Sequence, residues 1–330
     1  MSIYLDCNAT TPIEPEVVEK INNYLTKDFG NEGSHTHEYG SVAKKAVQEA
    51  RDNIGNLIDA SRNEIIFTSG ATESNNIAIL GLKDFGEKNN KKHIITTSIE
   101  HKAVLEPIEE LKKIGFDVDI LKVDQSGRIN PKDLKDKLRK DTLLISVMSV
   151  NNETGLIQPI KEICDLIKDH DCFFHVDAAQ GFGGAIRGKK AGSFGDVAAI
   201  SHNPMKIFGG LGEAGIVLTD DPTLNDRIRT LRYHGMTDSD RTQYFSGNER
   251  IDTLQAAFLL RRLPALERRL EARRLVAARY NSGLKNIVRT PEETTIESSR
   301  DSWFVYPILT EARNELAEYL SEMGIEARKR

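Results

Sequence analysis

The stretch Phe174-His175-Val176-Asp177-Ala178-Ala179-Gln180 decides the fold class, because it is typical of a buried strand that ends in a carboxylate. Apolar, β-rich runs of the same kind predict strands at Ile65–Thr68, His93–Thr97, 142–149 and 173–176. Helical patterns lie between and before them, at 41–58, 74–85, 103–114 and 161–170. This alternation predicts an α/β fold with a mainly parallel sheet that is covered by helices on both faces.

The composition excludes several classes of protein. The chain has 330 residues, of which 39% are hydrophobic and 29% charged, so it can bury a core large enough for roughly two domains or for one large α/β unit with an appendage. It has no apolar run of about 18 residues and no secretory signal pattern, so we expect no membrane contact. Three cysteines without a CxxC motif suit the reducing cytoplasm. The net charge of -5 argues against nucleic-acid binding.

Two motifs follow strands, at the edge where parallel sheets bind ligands. The segment Ser69-Gly70-Ala71-Thr72-Glu73 follows the first strand and opens a helix, so its free N–H groups could either bind an anion or be capped in the ordinary way. Asp177 ends its strand where a carboxylate is costly unless it is paired. It is therefore either a capping residue or the partner of a cationic ring nitrogen in a cofactor.

A lysine follows a further predicted strand at 197–200. The segment Ser201-His202-Asn203-Pro204-Met205-Lys206 leads into a glycine-rich loop that would let the backbone approach a cofactor closely. A lysine beside an anion site and a buried aspartate suggests a Schiff base with pyridoxal 5'-phosphate (PLP). The string 210–215 matches GxGxxG, but a strand-like run at 216–219 follows it, so we interpret it as a flexible loop. The histidines lack metal-ligand spacing, and no metal is expected.

The C-terminal part has a different pattern. A long helical stretch covers 253–284, and a strand at 303–309 and a helix at 311–323 are predicted after it. We expect an N-terminal arm at 1–14, a large cofactor domain at 15–245, and an interdomain helix with a small α/β domain at 246–330. Residues 1–190 contain 20 Lys and 5 Arg, whereas 191–330 contain 3 Lys and 17 Arg, which is consistent with a junction of two ancestries.

The first part of the chain resembles the cysteine desulfurases, a branch of the class V aminotransferases. The resemblance extends from Tyr4 to about Gln180 and rests on these strings: Tyr4-Leu5-Asp6 with Asn8-Ala9-Thr10-Thr11-Pro12, Phe67-Thr68-Ser69-Gly70-Ala71-Thr72-Glu73-Ser74-Asn75-Asn76, Glu100-His101-Lys102-Ala103-Val104-Leu105, Val150-Asn151-Asn152-Glu153-Thr154-Gly155 and His175-Val176-Asp177-Ala178-Ala179-Gln180. Several ordered motifs over more than half of the chain make this resemblance specific.

From about Asp177 onward the chain resembles the DegT group of nucleotide-sugar aminotransferases. The strings are Ala191-Gly192-Ser193-Phe194-Gly195-Asp196, Ser201 to Lys206, Gly212-Glu213-Ala214-Gly215, Leu231-Arg232-Tyr233-His234-Gly235 and 247–257. The lysine lies five residues after the serine, as in that group. We interpret the chain as a chimera. Both families share the fold-type-I architecture of PLP-dependent transferases, with a seven-stranded type of sheet, and the small C-terminal domain is expected to be truncated.

The two resemblances imply roles for residues around the PLP ring. Lys206 would form the Schiff base and move the proton at Cα, and Asp177 would pair with the pyridine N–H. Gln180 would hydrogen-bond the ring hydroxyl, and His101 would stack on the ring. Lys206, Asp177 and His101 are therefore the candidate catalytic residues.

Further residues would bind the phosphate and the substrate. The phosphate is expected to contact three side chains or backbone groups, those of Ala71, Thr72 and Ser201. Asn152 would lie near the ring or the substrate carboxylate. Asn248 would reach the cofactor phosphate of a partner subunit, which implies a homodimer.

The sequence predicts the cofactor more firmly than it predicts the reaction. Desulfurases use a cysteine in a C-terminal mobile loop, and here no cysteine follows Cys172. Transamination of an amino-acid substrate needs no such thiol, so an aminotransferase is the first expectation. A cysteine desulfurase that converts L-cysteine to L-alanine plus sulfur is the alternative. A third is a catalytically weak PLP-fold protein with a binding or regulatory role.

Overall fold

The computed structural model of the protein describes residues 3–7, 9–34, 36–237, 241–327 and 329. Asn8, a residue of the N-terminal motif, lies outside the described residues. Nine strands are formed in these ranges: β1 (Ile65–Thr68), β2 (His93–Thr97), β3 (Asp117–Leu121), β4 (Thr142–Met148), β5 (Phe173–Asp177), β6 (Ala185–Ile186), β7 (Lys189–Lys190), β8 (Val197–Ser201) and β9 (Gly215–Leu218). The strands predicted at 65–68 and 93–97 have the observed bounds.

The described part of the chain also contains eleven α-helices and two short 3₁₀ turns. The helices are α1 (Pro15–Thr26), α2 (Glu38–Leu57), α3 (Ala71–Leu80), α4 (Lys83–Lys88), α5 (Lys102–Lys113), α6 (Pro131–Lys137), α7 (Ile160–Ile167), α8 (Pro222–Leu231), α9 (Thr253–Arg262), α10 (Leu266–Leu284) and α11 (Arg313–Glu322). The turns are Arg62–Glu64 and Leu263–Ala265.

Seven strands form one sheet in the order β1-β9-β8-β5-β4-β2-β3. The pairs from β8 to β3 are parallel, whereas β9 is antiparallel to both of its neighbours, β8 and β1. Six strands therefore run in one direction, and β9 alone runs against them. The predicted α/β fold with a mainly parallel seven-stranded sheet is confirmed.

Helices cover both faces of this sheet, because successive strand residues point to opposite sides. Ile65 and Phe67 of β1 pack in the core cluster that contains α2, α7 and α9. Ile66, between them, packs in a second cluster with α3 and α8. A third cluster joins Ile94 and Leu144 to α5. Burial on both faces explains why the strands are apolar almost throughout.

The C-terminal part differs from the prediction in two places. No strand forms at 303–309, where all residues are described; Leu309 makes only an isolated bridge with Arg289. A β-rich sequence alone does not form a strand unless a neighbouring edge offers hydrogen bonds. The helix expected over 253–284 is interrupted by the turn at Pro264, which has no N–H for the helical ladder.

Two absences hold for the described residues only. No helix there is both long enough and apolar enough to cross a bilayer. No group of three or more His, Cys, Asp or Glu side chains there could hold a metal ion. The domain boundaries at 14 and 245 stay a prediction.

Candidate active site

The site lies at the edge of the sheet where β1, β2, β4, β5 and β8 end. β9 begins at this edge, and its first residue, Gly215, pairs with Thr68 on one side and Ser201 on the other. The loops after five strands therefore converge on the place where open α/β sheets bind their ligands. Asp177, Ser201 and the 69–73 segment all belong to this edge.

Asp177 is the buried acid of the site, at the last position of β5, with 5% of its surface exposed. Its Oδ1 accepts a hydrogen bond from the backbone N–H of Ala179 (2.9 Å), and its Oδ2 accepts one from Asn75 Nδ2 (3.1 Å). Burial raises the pKa of Asp177, and the two hydrogen bonds and the nearby His101 and Lys206 oppose this shift. The carboxyl group is thus fixed in place, and no described side chain forms an ion pair with it.

Lys206 lies in the loop between β8 and β9, with its side chain half-buried. Its Nζ is 4.9 Å from the centre of the Phe304 ring, a residue of the C-terminal part. Burial lowers the pKa of Lys206, whereas the charges of Asp177 and Glu213 act in the opposite direction. Desolvation therefore favours the neutral amine, which is the nucleophilic form of a lysine.

The segment between β1 and α3 supplies unpaired backbone N–H groups. Ala71 is the first residue of α3 and Thr72 the second, so their N–H groups have no partner within the helix. A Cβ on Gly215 would lie 2.5 Å from the carbonyl carbon of Gly70 and 2.8 Å from Ala71 N. Glycine at 215 therefore lets this turn lie directly against β9. Gly215 serves this close approach, and Gly210 and Gly212 lie against the side chain of Gln255, so the string is not a dinucleotide fingerprint.

A carboxylate also faces this turn. Glu213 accepts a hydrogen bond from Asn203 Nδ2 (2.6 Å), and its Oε2 lies 3.7 Å from the point where a Gly70 Cβ would be. Burial and the charge of Glu213 both raise the pKa of Glu73. Two acidic side chains thus lie at this turn: Glu73 at the end of the segment, and Glu213, whose hydrogen bond to Asn203 is made within the loop that carries Lys206.

His101 caps the start of α5, and its Nδ1 accepts from the backbone N–H of Ala103 (3.1 Å). The preceding residue, Glu100, is fully buried and accepts hydrogen bonds from Met148 N and from Thr97 Oγ1, both at 2.8 Å. Glu100 therefore links the ends of β2 and β4 directly before His101. Burial raises the pKa of Glu100 to about 8, so the group is mainly protonated at neutral pH.

The remaining candidate residues are Gln180, Asn152, Ser201 and Asn248. Gln180 follows β5, and its Oε1 is buried without a hydrogen-bond partner among the described residues. Asn152 follows β4 and donates its side-chain N–H to Glu153 (3.1 Å). Ser201 ends β8 and is buried. Asn248 lies on an exposed segment, where it accepts from Arg250 Nε (3.1 Å); its expected position at a partner's cofactor stays a prediction.

Three residues of this pocket were not singled out from the sequence. Asn75 lies within a quoted motif, but nothing in the motif shows that its amide reaches Asp177. Glu100 lies in a quoted motif directly before His101, but nothing in the motif shows that its carboxyl group is buried between β2 and β4. Phe304 is separated from Lys206 by about 100 positions, so no local pattern could connect them. A carboxylate next to a strand end, such as Glu100, is the one signal that could have been used.

The pocket fits PLP. The buried carboxyl group of Asp177 matches a protonated ring nitrogen, and the unpartnered Oε1 of Gln180 could accept from a ring hydroxyl. The free N–H groups at the start of α3 suit a phosphate. Lys206 offers an amine whose neutral form is favoured by burial. The carboxylate of Glu213 lies nearby, and its negative charge would disfavour a bound phosphate.

Comparison with known proteins agrees with this fit. The sequence pattern of the family described as aminotransferase class-V matches residues 3–192. A mitochondrial cysteine desulfurase of Candida maltosa is 51% identical over 181 residues, which make up 55% of this chain and 37% of that protein. The chain spans between 36% and 55% of the length of the curated relatives that it matches.

Solved structures resemble the chain over most of its length. A protein described as NifS-like has a TM-score of 0.76 at 28% identity and covers 100% of this chain and 88% of its own. A DegT DnrJ EryC1 StrS aminotransferase from Brucella abortus also has a TM-score of 0.76, at 25% identity, covering 94% of this chain and 79% of its own. Both predicted resemblances are thereby confirmed.

Proposed function

The chain belongs to the class-V aminotransferase family, a group of PLP-dependent enzymes, and from this we propose that it acts on L-cysteine as a cysteine desulfurase. The observation that carries the proposal is the position of Asp177 at the end of β5 and of Lys206 in the loop after the neighbouring strand β8, which brings the carboxylate and the amine to the same edge of the sheet. The relatives named cysteine desulfurase favour this reaction over the aminotransferase that the sequence alone ranked first.

The residues of the proposed site would have different roles. PLP, when bound, accepts the electrons that remain when a proton leaves the substrate Cα. Asp177 would keep the ring nitrogen protonated, and Asn75 would hold Asp177 in place. Lys206 would hold the cofactor and move the Cα proton with its Nζ, a role for which burial suits it.

Further residues would orient the cofactor. His101, fixed by its hydrogen bond to Ala103, would pack against the ring face. Gln180 would accept from the ring hydroxyl. The N–H groups of Ala71 and Thr72 would bind the phosphate together with Ser201, and Asn152 would lie on the substrate side.

Transamination is the second candidate, and one observation favours it. Burial raises the pKa of Cys164, and it raises that of Cys172 to about 11, so neither thiol is a thiolate near neutral pH. The third cysteine, Cys7, is exposed on the N-terminal segment. An amino transfer needs no thiol, and the serine-to-lysine spacing agrees with the DegT-type aminotransferases.

One experiment separates these reactions. The purified protein is incubated with PLP and L-cysteine in the presence of dithiothreitol, and released sulfide is measured. A parallel sample receives L-glutamate, and conversion of the cofactor to its pyridoxamine form is followed by absorbance. We expect sulfide release from L-cysteine that is lost in Lys206→Ala and kept in Lys189→Ala, a lysine of the β6–β7 hairpin.

The other outcomes contradict the proposal. The pyridoxamine form without sulfide release would make the protein an aminotransferase. Bound PLP without turnover of either amino acid would leave the catalytically weak PLP-fold protein. If Lys206→Ala retained covalently bound PLP after borohydride reduction, the assignment of the lysine would be wrong.

A homodimer is part of the proposal. Phe29 and Tyr39 stack on each other with both side chains exposed, and Phe245 is fully exposed near Asn248. Apolar surface of this kind is typical of protein interfaces. Analytical ultracentrifugation should give twice the chain mass of 36.9 kDa, and Asn248→Ala should weaken PLP binding without changing that mass. A monomer that binds PLP normally would contradict the homodimer.

The cytoplasmic location stays a prediction.

A further inference from the structure

Four arginines gather at the outer edge of β1, and we refer to them as the arginine cluster: Arg51, Arg229, Arg232 and Arg250. Two of them meet at one residue of β1. Arg232 Nη1 donates a hydrogen bond to the carbonyl oxygen of Phe67 (3.1 Å), and the guanidinium of Arg51, from α2, lies 5.2 Å from the centre of the Phe67 ring.

The other two arginines complete the cluster from α8 and from the exposed segment before α9. Arg229 Nη2 donates to the carbonyl oxygen of Asn63, two residues before β1 (2.8 Å). The guanidinium of Arg250 lies 4.5 Å from the ring centre of Tyr233, the residue that follows Arg232. Three separate parts of the sequence thus bring positive charge to one strand edge.

Within the described residues, the cluster lacks an anionic partner. The arginine ion pairs of this part of the chain are formed by other side chains: Arg62, Arg128, Arg139, Arg227, Arg262, Arg269, Arg274 and Arg300. Only 6% of the Arg51 surface is exposed. The Nε atoms of Arg51 and Arg232 are both buried without an acceptor. Glu32 attracts both arginines electrostatically but does not form an ion pair with either.

Such an arrangement is costly unless an anion binds. A buried guanidinium without a partner loses its hydration and gains no charge partner in return. Burial and the neighbouring Arg51 and Arg229 lower the pKa of Arg232 to about 10, which reflects this cost. Guanidinium forks match the oxygen pairs of phosphate and sulfate and bind them with two parallel hydrogen bonds.

We propose that the arginine cluster is a binding site for a small oxyanion of the phosphate class, formed by different side chains from those expected to hold the cofactor phosphate. The oxyanion would accept hydrogen bonds from the unpartnered Nε atoms of Arg51 and Arg232. It would connect α2, β1 and the end of α8, and so stabilise the strand edge beside the 69–73 segment.

The test uses the full chain loaded with PLP, so that the cofactor site is filled. The melting temperature is measured during titration with inorganic phosphate and, separately, with chloride at equal ionic strength. We expect phosphate to raise the melting temperature in a saturable manner and chloride to leave it unchanged. In Arg232→Met the apparent dissociation constant for phosphate should rise about tenfold or more.

Matched variants locate the phosphate response on the molecule. Arg51→Lys keeps the charge but removes the planar fork, so it should also weaken the response. Arg227→Met, on the same helix as Arg229 but paired with Asp84, should respond as the wild type does. Gly215→Ala, which alters the cofactor side and is saturated with additional PLP to offset its weaker binding, should retain the response.

Three results would overturn the proposal. The first is a wild-type melting temperature that is insensitive to phosphate. The second is a response lost in Gly215→Ala but kept in Arg232→Met, since phosphate would then bind at the cofactor site. The third is a rise in melting temperature that chloride reproduces at equal ionic strength, because general ionic screening and not a specific oxyanion site would then explain it.

Discussion

Lys206, at the edge of the sheet, contacts Phe304 of the C-terminal part, but these two regions are held in very different ways. Asp177 and Glu100 are fixed by strands that are buried on both faces, and their hydrogen bonds are made within the core. Among the described residues, the buried apolar core ends at Ala277, and α11 has no buried residue. Yet Phe304, from this weakly packed part, lies over Lys206.

The difference assigns separate tasks to the two regions. The segment that carries Phe304 combines polar contacts, such as Arg273 Nη1 to the carbonyl oxygen of Trp303 (3.1 Å) and Arg274 Nε to that of Asp301 (3.0 Å), with the packing of a half-buried Phe304 against the main core cluster. Because no described residue after Ala277 is buried, we expect a low free energy of local opening in this part. The rigid region would hold the cofactor, and the weakly held region would cover it and admit substrate.

The strongest test of the rigid region is the pH dependence of its stability. The pKa of Glu100 is about 8 in the folded protein, above the value of 4.5 for a free glutamate. The folded state therefore binds more protons between pH 4.5 and about 8, and the free energy of unfolding falls as pH rises through this window, by about 1.4 kcal/mol per unit from this group. Glu100→Gln should remove that contribution.

Urea unfolding at several pH values measures this effect. The difference between Glu100→Gln and the wild type should grow to several kcal/mol at about pH 9. Glu110→Gln, which removes an exposed glutamate paired with Lys113, is the control and should leave the slope unchanged. Parallel pH profiles of Glu100→Gln and wild type would show that Glu100 is charged in the folded protein.

Asp177→Asn tests the same region at the site itself. The amide keeps the shape of the side chain but cannot stabilise a protonated ring nitrogen, so we expect turnover to fall on the order of 10²-fold. Steady-state kinetics measure the loss, and near-wild-type circular dichroism should show that the fold is intact. Asp171→Asn, at an exposed position, is the control. Unchanged turnover would remove Asp177 from the proposed mechanism.

Gly215→Ala tests the contact between β9 and the 69–73 segment. The added Cβ would lie 2.5 Å from Gly70 C, so the turn must move, at a cost of about 1–3 kcal/mol. Fluorescence titration should show PLP binding at least about tenfold weaker. Gly283→Ala, in α10 with open space around it, should instead stabilise the protein by about 0.5–1 kcal/mol. Normal PLP affinity in Gly215→Ala would exclude this turn from cofactor binding.

The smallest effect on stability is expected in the C-terminal part. Phe174→Ala, in the buried β5, should lower the free energy of unfolding by about 3–5 kcal/mol. Phe304→Ala should lower it by only about 1 kcal/mol, because its ring is half-buried in a weakly packed segment. Urea unfolding compares the two variants directly. Equal losses would mean that the C-terminal part is as firmly packed as the sheet.

The sequence predicted the sheet edge better than the C-terminal part that lies over Lys206, and packing explains the difference. Strands β1 and β2 have local apolar patterns with clear ends, and their predicted bounds match. Asp177 and Lys206 follow the ends of strands, so their convergence could be inferred from the rule that parallel strands end at one edge. The strand predicted at 303–309 was wrong, since only Leu309 forms a bridge, to Arg289, while Phe304 and Val305 lie against Lys206 and Gly155, far away in sequence.

The reversed direction of β9 has a consequence for the order of assembly. The loop with Lys206 joins two adjacent strands, β8 and β9, so it closes over a short distance along the chain. β1 pairs with β9 alone, about 150 positions later, so both edges of β1 are open until then. During synthesis the lysine loop and the 69–73 turn would therefore be completed at nearly the same moment, when β9 leaves the ribosome. Until that point the open edge of β1 can pair with other chains, so dilution or chaperone binding early in folding should improve recovery of the protein.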